Sequence, residues 1–244
     1  MMGTNARRGF TLIEVILFLA ISGLMLLGVL AGVSGSISRQ RYDEATNSLL
    51  DYVKSQYNLN DNIRNNRPDT RACTAAGIAA NTAQPRGTSD CAIAGRLISS
   101  TDGKSISSRP VYARSAGNLN AATEATLLNS LNLIVAPSDL KTDNEDYTML
   151  WQTQIYTNKN AQTTANHFGI LILRLPTNGL TRTYVSTSYT TLADFWTAAP
   201  ALTELNLCVS KSGLTNAPAN GTKVIRGAST SNGVQFIPGG AGTC

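Results

Sequence analysis

Arg7-Arg8-Gly9-Phe10-Thr11-Leu12-Ile13-Glu14-Val15, running on through Ile16-Leu17-Phe18-Leu19-Ala20-Ile21-Ser22-Gly23 to Val33, is the stretch on which the architecture turns. Val15 to Val33 carries no charge. At a helical rise of ~1.5 Å per residue it covers roughly 28 Å, about one bilayer hydrocarbon core. A cleaved secretory signal has a shorter apolar region, about 7–15 residues, closed by a small-x-small site. Arg7 and Arg8 predict a cytoplasmic N-terminal side, with the rest of the chain outside. A plain membrane anchor leaves Glu14 unexplained. An ionisable group in an apolar segment costs at least ~2.5 kcal/mol near the bilayer centre and less toward an interface.

The helical pattern continues past the apolar stretch. Tyr42, Ala45, Leu49, Val53 and Gln56/Tyr57 recur at spacings of three or four, with Asp43, Glu44, Asp51 and Lys54 between them. That is the signature of an amphipathic helix. Asn58–Asn62 and Pro68 weaken it, so one helix is predicted from Phe10 to about Asn62, roughly 80 Å long. The alternative is two helices split near Gly32–Ser36. Gly23, Gly28, Gly32 and Gly35 each lower helix propensity by about 1 kcal/mol relative to Ala.

From about Ile63 the composition shifts to Ser, Thr, Asn, Gly and Ala, and β-prone runs replace the helix. Arg96–Ser99 and Ser105–Arg114 flank Thr101-Asp102-Gly103-Lys104, a hairpin signal. Further strands are expected at Trp151–Tyr156, Phe168–Leu175, Thr183–Tyr189, Leu205–Ser210, Thr222–Ala228 and Gly233–Ile237. A short helix is expected within Ala121–Asn132. Alternating Thr and Tyr suit an antiparallel sheet with one exposed face, the long helix covering the other. The fold class is therefore α+β. Among 244 residues, 42% are hydrophobic, which excludes a disordered chain, and the net charge of +5 is low for a dedicated nucleic-acid binder. A single histidine, His167, excludes sites that need two imidazoles. No CxxC, P-loop, GxSxG or HExxH is present, so neither an enzyme, a metal centre nor a cofactor is expected.

Residues 7–15 resemble the class III leader and cleavage site of type IV pilins and pseudopilins, and the resemblance extends over about residues 5–60. It implies a leader at 1–9, a membrane-spanning and filament-core helix at 10–33, an amphipathic extension at 34–62 and an extracytoplasmic β-rich head at 63–244. By the same resemblance a prepilin peptidase cuts between Gly9 and Phe10, Phe10 becomes an N-methylated terminus, and Glu14 is the glutamate retained for assembly. A buried carboxylate is tolerable when paired, so Glu14 of one subunit would meet the Phe10 amine of a neighbour and set axial register. Snorkelling of Glu14 to the headgroups is the alternative while the subunit waits in the membrane. Pilins often carry a helix-breaking proline in this region; here melting on filament packing is expected at the glycines of Gly23–Gly35. The implied partners are other pilin subunits, the peptidase, the inner membrane, an assembly platform protein and its ATPase. The implied function is a pilus or secretion-pseudopilus subunit, serving adhesion, motility, DNA uptake or secretion. The chain is long for a major pilin, which favours a minor subunit. A membrane-anchored adhesin or receptor that never polymerises is the alternative.

External placement lets thiols oxidise. Pilins of this kind often close the C-terminal region with a disulfide, and the expected pairing of three is Cys73–Cys91 with Cys208–Cys244; four free thiols are the alternative. Arg64, Arg67, Arg71, Arg86, Arg96, Lys104, Arg109 and Arg114 outnumber Asp69, Asp90 and Asp102. This segment could face DNA, but few aromatics interleave with it, so a solvated face pairing with acids of a neighbour is favoured. Asp139, Asp143, Glu145 and Asp146 lack EF-hand spacing and read as a loop or a charge partner rather than a calcium site. Trp151 and Trp196 read as core or interface anchors, His167 as a strand-start packing residue, and Asn220-Gly221-Thr222 as a glycosylation sequon.

Overall fold

In a computed structural model, the described residues are 10–62, 67–74, 77–80, 82–85, 87–89, 91–115, 117–118, 120–140, 145–157, 167–175, 178–197, 202–211, 219–240 and 244. One helix, α1 (Leu12–Asp61), runs for 50 residues, about 75 Å at ~1.5 Å per residue. It is continuous through Gly23, Gly28, Gly32 and Gly35, so the split-helix alternative is set aside. Thr11 caps its start and Asn62 its end. The first half is exposed on all sides. In the second half Tyr42, Ala45, Thr46, Leu49, Val53, Gln56, Tyr57 and Asn60 are buried along one stripe at helical spacing.

The head follows with β1 (Ala72–Thr74), β2 (Gly77–Ala79), β3 (Ala92–Ser100), β4 (Ser105–Ala113), α2 (Glu124–Ser130), β5 (Leu133–Val135), β6 (Glu145–Thr148), β7 (Ile155–Tyr156), β8 (Phe168–Arg174), β9 (Thr181–Ser186), α3 (Asp194–Thr197), β10 (Glu204–Val209), β11 (Gly221–Ile225) and β12 (Val234–Ile237). The main sheet has the order β5-β4-β3-β8-β9, with β6 also paired to β4; a second sheet has the order β12-β11-β10-β7. Every described pairing is antiparallel. The β3–β4 hairpin turns at Asp102-Gly103. Asp102 Oδ1 accepts from the N–H groups of Lys104 and Ser105, both at 2.8 Å, and Gly103 takes φ +69°, a left-handed conformation that glycine adopts at low cost.

The stripe on α1 packs against both sheets. Tyr42, Leu49, Val53 and Tyr57 share one core with Ile98, Phe168, Ile170, Ile172 and Val185 of the main sheet and with Leu205, Leu207, Val209 and Val224 of the second. At about 25 cal/mol per Å² of apolar surface buried, this seam is the main force attaching head to helix.

The expectation of one exposed sheet face needs correction. β8 is buried on both faces. A second core lies on the far side of the main sheet, where Leu97, Val111, Leu171, Leu173 and Tyr184 meet Leu128 and Leu131, at α2 and its C-terminal cap, and Phe195 of α3. The run Ile170-Leu171-Ile172-Leu173 alternates between these two cores, which is why it has no polar partner face. The expected strand Trp151–Tyr156 is also shorter. Leu150–Gln152 forms a 3-10 turn, with Trp151 and Gln152 at φ 56° and 58°, and pairing begins at Ile155. The indole of Trp151 reaches back to α1: Nε1 donates to Glu44 Oε2 at 3.0 Å, and the Arg41 guanidinium lies 4.6 Å from the ring centre. Those contacts override local β propensity. Trp151 is 44% exposed, so it is no core residue, whereas Trp196 is partly buried and donates to Asn129 Oδ1.

Candidate assembly surface

The N-terminal half of α1 displays a large apolar surface in the isolated subunit. Phe10 is 86% exposed, and Leu12, Ile13, Leu17, Phe18, Leu24, Leu26 and Leu30 are all exposed. A surface of this extent cannot remain in water and calls for lipid or protein. The helix is long and apolar enough, by length and composition, to cross a membrane once.

Glu14 sits at the head of this surface. Thr11 Oγ1 accepts from the Glu14 N–H at 3.4 Å, while Glu14 Oε2 accepts from both the N–H and the hydroxyl of Thr11 at 2.9 Å. This is a reciprocal capping box. Glu14 therefore has a local partner before any neighbour arrives, which the sequence reading did not anticipate, although Thr-x-x-Glu is its signature. The bonds run to Oε2, and the second carboxylate oxygen has no bond to the described residues. Gly9 and the rest of the leader lie outside the described residues.

The junction between helix and head is polar at its centre. The Tyr42 hydroxyl donates to Val209 O at 3.1 Å and accepts from the Asn220 N–H at 2.6 Å. Gln56 Oε1 accepts from Ser108 Oγ at 2.6 Å and from Arg96 Nε at 3.2 Å, while its Nε2 donates to Glu145 Oε2 at 3.0 Å. Tyr57 and Thr183 share a hydrogen bond of 2.8 Å. Burial raises the Tyr57 phenol above its usual range, so the group stays neutral and remains able to donate. These bonds fix rotation of the head about α1 in a way apolar contact alone does not.

Three residues of the basic segment are consumed by the subunit's own structure. Arg67 is buried and donates to Arg71 O and Gln84 Oε1. Arg71 pairs with Asp139 at 2.6 Å, and Arg96 is the buried partner of Gln56. Arg64 and Arg86 lie outside the described residues. The acidic run is dispersed likewise: Asp139 is held by Arg71, Glu145 by Gln56, and Asp143 is outside the described residues. Among the described residues no group of three or more His, Cys, Asp or Glu could hold a metal ion. His167 directly precedes β8. Asn220 is built into the head, donating to Asp43 Oδ1 and accepting from the Gly239 N–H, so its side chain is committed rather than presented for glycosylation.

Disulfides join Cys73 to Cys91 and Cys208 to Cys244, with Cα–Cα distances of 6.1 and 5.5 Å. The first lies beside the β1–β2 hairpin; the second ties the last residue to the end of β10.

Residues 4–30 match the family model of the prokaryotic N-terminal methylation motif, the class III leader of type IV pilins. No curated protein and no solved structure matches the chain. The motif, the apolar helix and the antiparallel head together support a type IV prepilin-like precursor, a structural rather than a catalytic class.

Proposed function

We propose that the precursor is cut between Gly9 and Phe10, methylated on Phe10, and built into a pilus-like filament as a minor subunit. Residues 1–9 act as leader, 10–33 as membrane and filament-core helix, 34–62 as extension and 63–244 as head. The observation that carries this reading is the fully exposed apolar half of α1 beginning at a methylation motif, with Glu14 as its single ionisable side chain up to Val33.

The mechanism is exchange of solvent. In the membrane the Phe10–Val33 segment is covered by lipid, with the head outside. Extraction into a filament replaces lipid by neighbouring helices, and Gly23, Gly28, Gly32 and Gly35 let them approach closely. The glycines are also where the helix yields if packing demands it. Glu14 must then lose water and find a positive partner, because an unpaired buried carboxylate costs several kcal/mol. Cleavage supplies one, the amine of Phe10 on an adjoining subunit. The capping box leaves one Glu14 oxygen for it. Processing requires the prepilin peptidase, and extraction requires a platform protein with its ATPase.

Mass spectrometry of the mature N-terminus tests processing: methylated Phe10 is expected, and an intact leader would support a non-polymerising anchor. Gly9→Ala should leave the full-length precursor in the membrane. Glu14→Ala and Glu14→Gln should both be cleaved yet yield little sheared filament. Gln keeps a capping oxygen but no charge, so normal filament yield from Glu14→Gln would defeat the pairing mechanism.

A further inference from the structure

The outer face of the main sheet is divided. One half is the apolar floor under α2 and α3. The other half is polar and open. Strand register places Asp146, Ser107, Ser99 and Gly169 opposite one another across β6, β4, β3 and β8, with Thr148 opposite Ser105 in the next row. Side chains in one cross-strand row share a face. These rows line a cavity of about 710 Å³, within the usual size of small-ligand sites.

Tyr189 forms one wall. It packs over Gly169 so closely that a Cβ there would lie 2.8 Å from the Tyr189 Cβ and 2.7 Å from Phe195 Cζ. Arg109, on the row between the polar and apolar halves, is another lining residue. Its Nη1 makes one long contact, 3.5 Å to Ala136 O, and its Nε is buried with no hydrogen-bond partner among the described residues. A guanidinium fork in that condition lacks its natural complement, a carboxylate held by two parallel bonds. Ser99 and Ser107, 3.3 Å apart, offer hydroxyls that both donate and accept, and Asp146 accepts. A polyol matches that set, and a tyrosine ring beside it offers an apolar flank.

We propose that this groove binds a saccharide bearing a carboxylate, such as a uronic-acid unit of an oligosaccharide, its carboxylate on Arg109 and its hydroxyls on the serine row. The test is calorimetric titration of the full chain in detergent with tri-galacturonate, with maltotriose and tri-glutamate as comparisons. Tri-galacturonate should bind at least about tenfold more tightly than either. Arg109→Gln should cost about tenfold or more, and Arg109→Lys should lose less. Ser107→Leu, which fills the groove from the sheet surface, should abolish binding and stands in for Arg109→Gln if that variant loses its cooperative melt. Equal affinity for tri-glutamate would reduce the groove to a bare anion or peptide site. That result, absence of binding at millimolar tri-galacturonate, or unchanged affinity in Ser107→Leu overturns the proposal.

Discussion

Tyr42 shows what one hydroxyl does for this molecule. It is a core residue of α1 by spacing, yet its oxygen joins the helix to Val209 at the end of β10 and to Asn220 ahead of β11. Tyr42→Phe keeps the ring and strands a buried N–H and a buried carbonyl. The variant should lose about 1–3 kcal/mol of head stability, read as a lower denaturant midpoint with an unchanged slope. An unchanged midpoint would mean water replaces the hydroxyl. The stripe of Tyr42, Ala45, Leu49, Val53 and Tyr57 was legible in the sequence because helical periodicity is local. The Gln56–Arg96–Ser108–Glu145 network was not, because its members lie 40 to 89 positions from Gln56 and nothing local marks them. Arg96 read as one of a basic run for the same reason.

At the scale of the element, α3 had no sequence signal: four residues are too few to show a period. Its start is fixed by Asp194, whose carboxylate accepts from the N–H groups of Thr191 and Thr190, each at 2.7 Å, and from both hydroxyls. Those backbone bonds, with the hydroxyl bonds added, pull its pKa down to about 2, against ~3.9 for an unfolded aspartate. A depressed folded-state pKa means that the stabilisation is complete above about pH 4 and is lost as pH falls toward about 2. Emission from Trp196, two residues on, should report loosening of α3 over that window, and Asp194→Asn should flatten the response. No acid transition in the unaltered chain would remove the cap from the account. The hairpin at Asp102-Gly103 and the strands β8, β10 and β12 were readable because turn chemistry and β-branched runs are also local. The turn at Trp151 was not, since its conformation is set by Arg41 and Glu44 on α1.

Across the whole molecule, two disulfides tie distant segments, one of them holding Cys244 to β10. Cys208–Cys244 closes a separation of 36 residues and Cys73–Cys91 one of 18. In the chain-entropy model the longer loop contributes about 4 kcal/mol and the shorter about 3. Cys244→Ser should therefore lower the head's thermal midpoint more than Cys91→Ser, each scored in a chain with its orphaned thiol also changed to Ser. The reverse order would show that the Cys73–Cys91 loop restrains more of the head than its length implies. These two bonds lie in the head, so neither pair of variants should alter the membrane half of α1 up to Val33, whose described side chains are exposed in the subunit.

What the chain's order of residues determined unaided is the long helix, the change in its character near residue 34, the leader motif and the alternation that makes the head an antiparallel β structure. All of these are periodic or contiguous, and their physics acts over a few residues. What only the tertiary structure decided is that part of the main sheet is covered on both faces, that Arg67, Arg71 and Arg96 of the basic run are tied up within the subunit, and that a polar groove survives beside the apolar floor. These depend on which distant strands become neighbours, and that is settled by burial of the α1 stripe against two sheets at once rather than by any local preference.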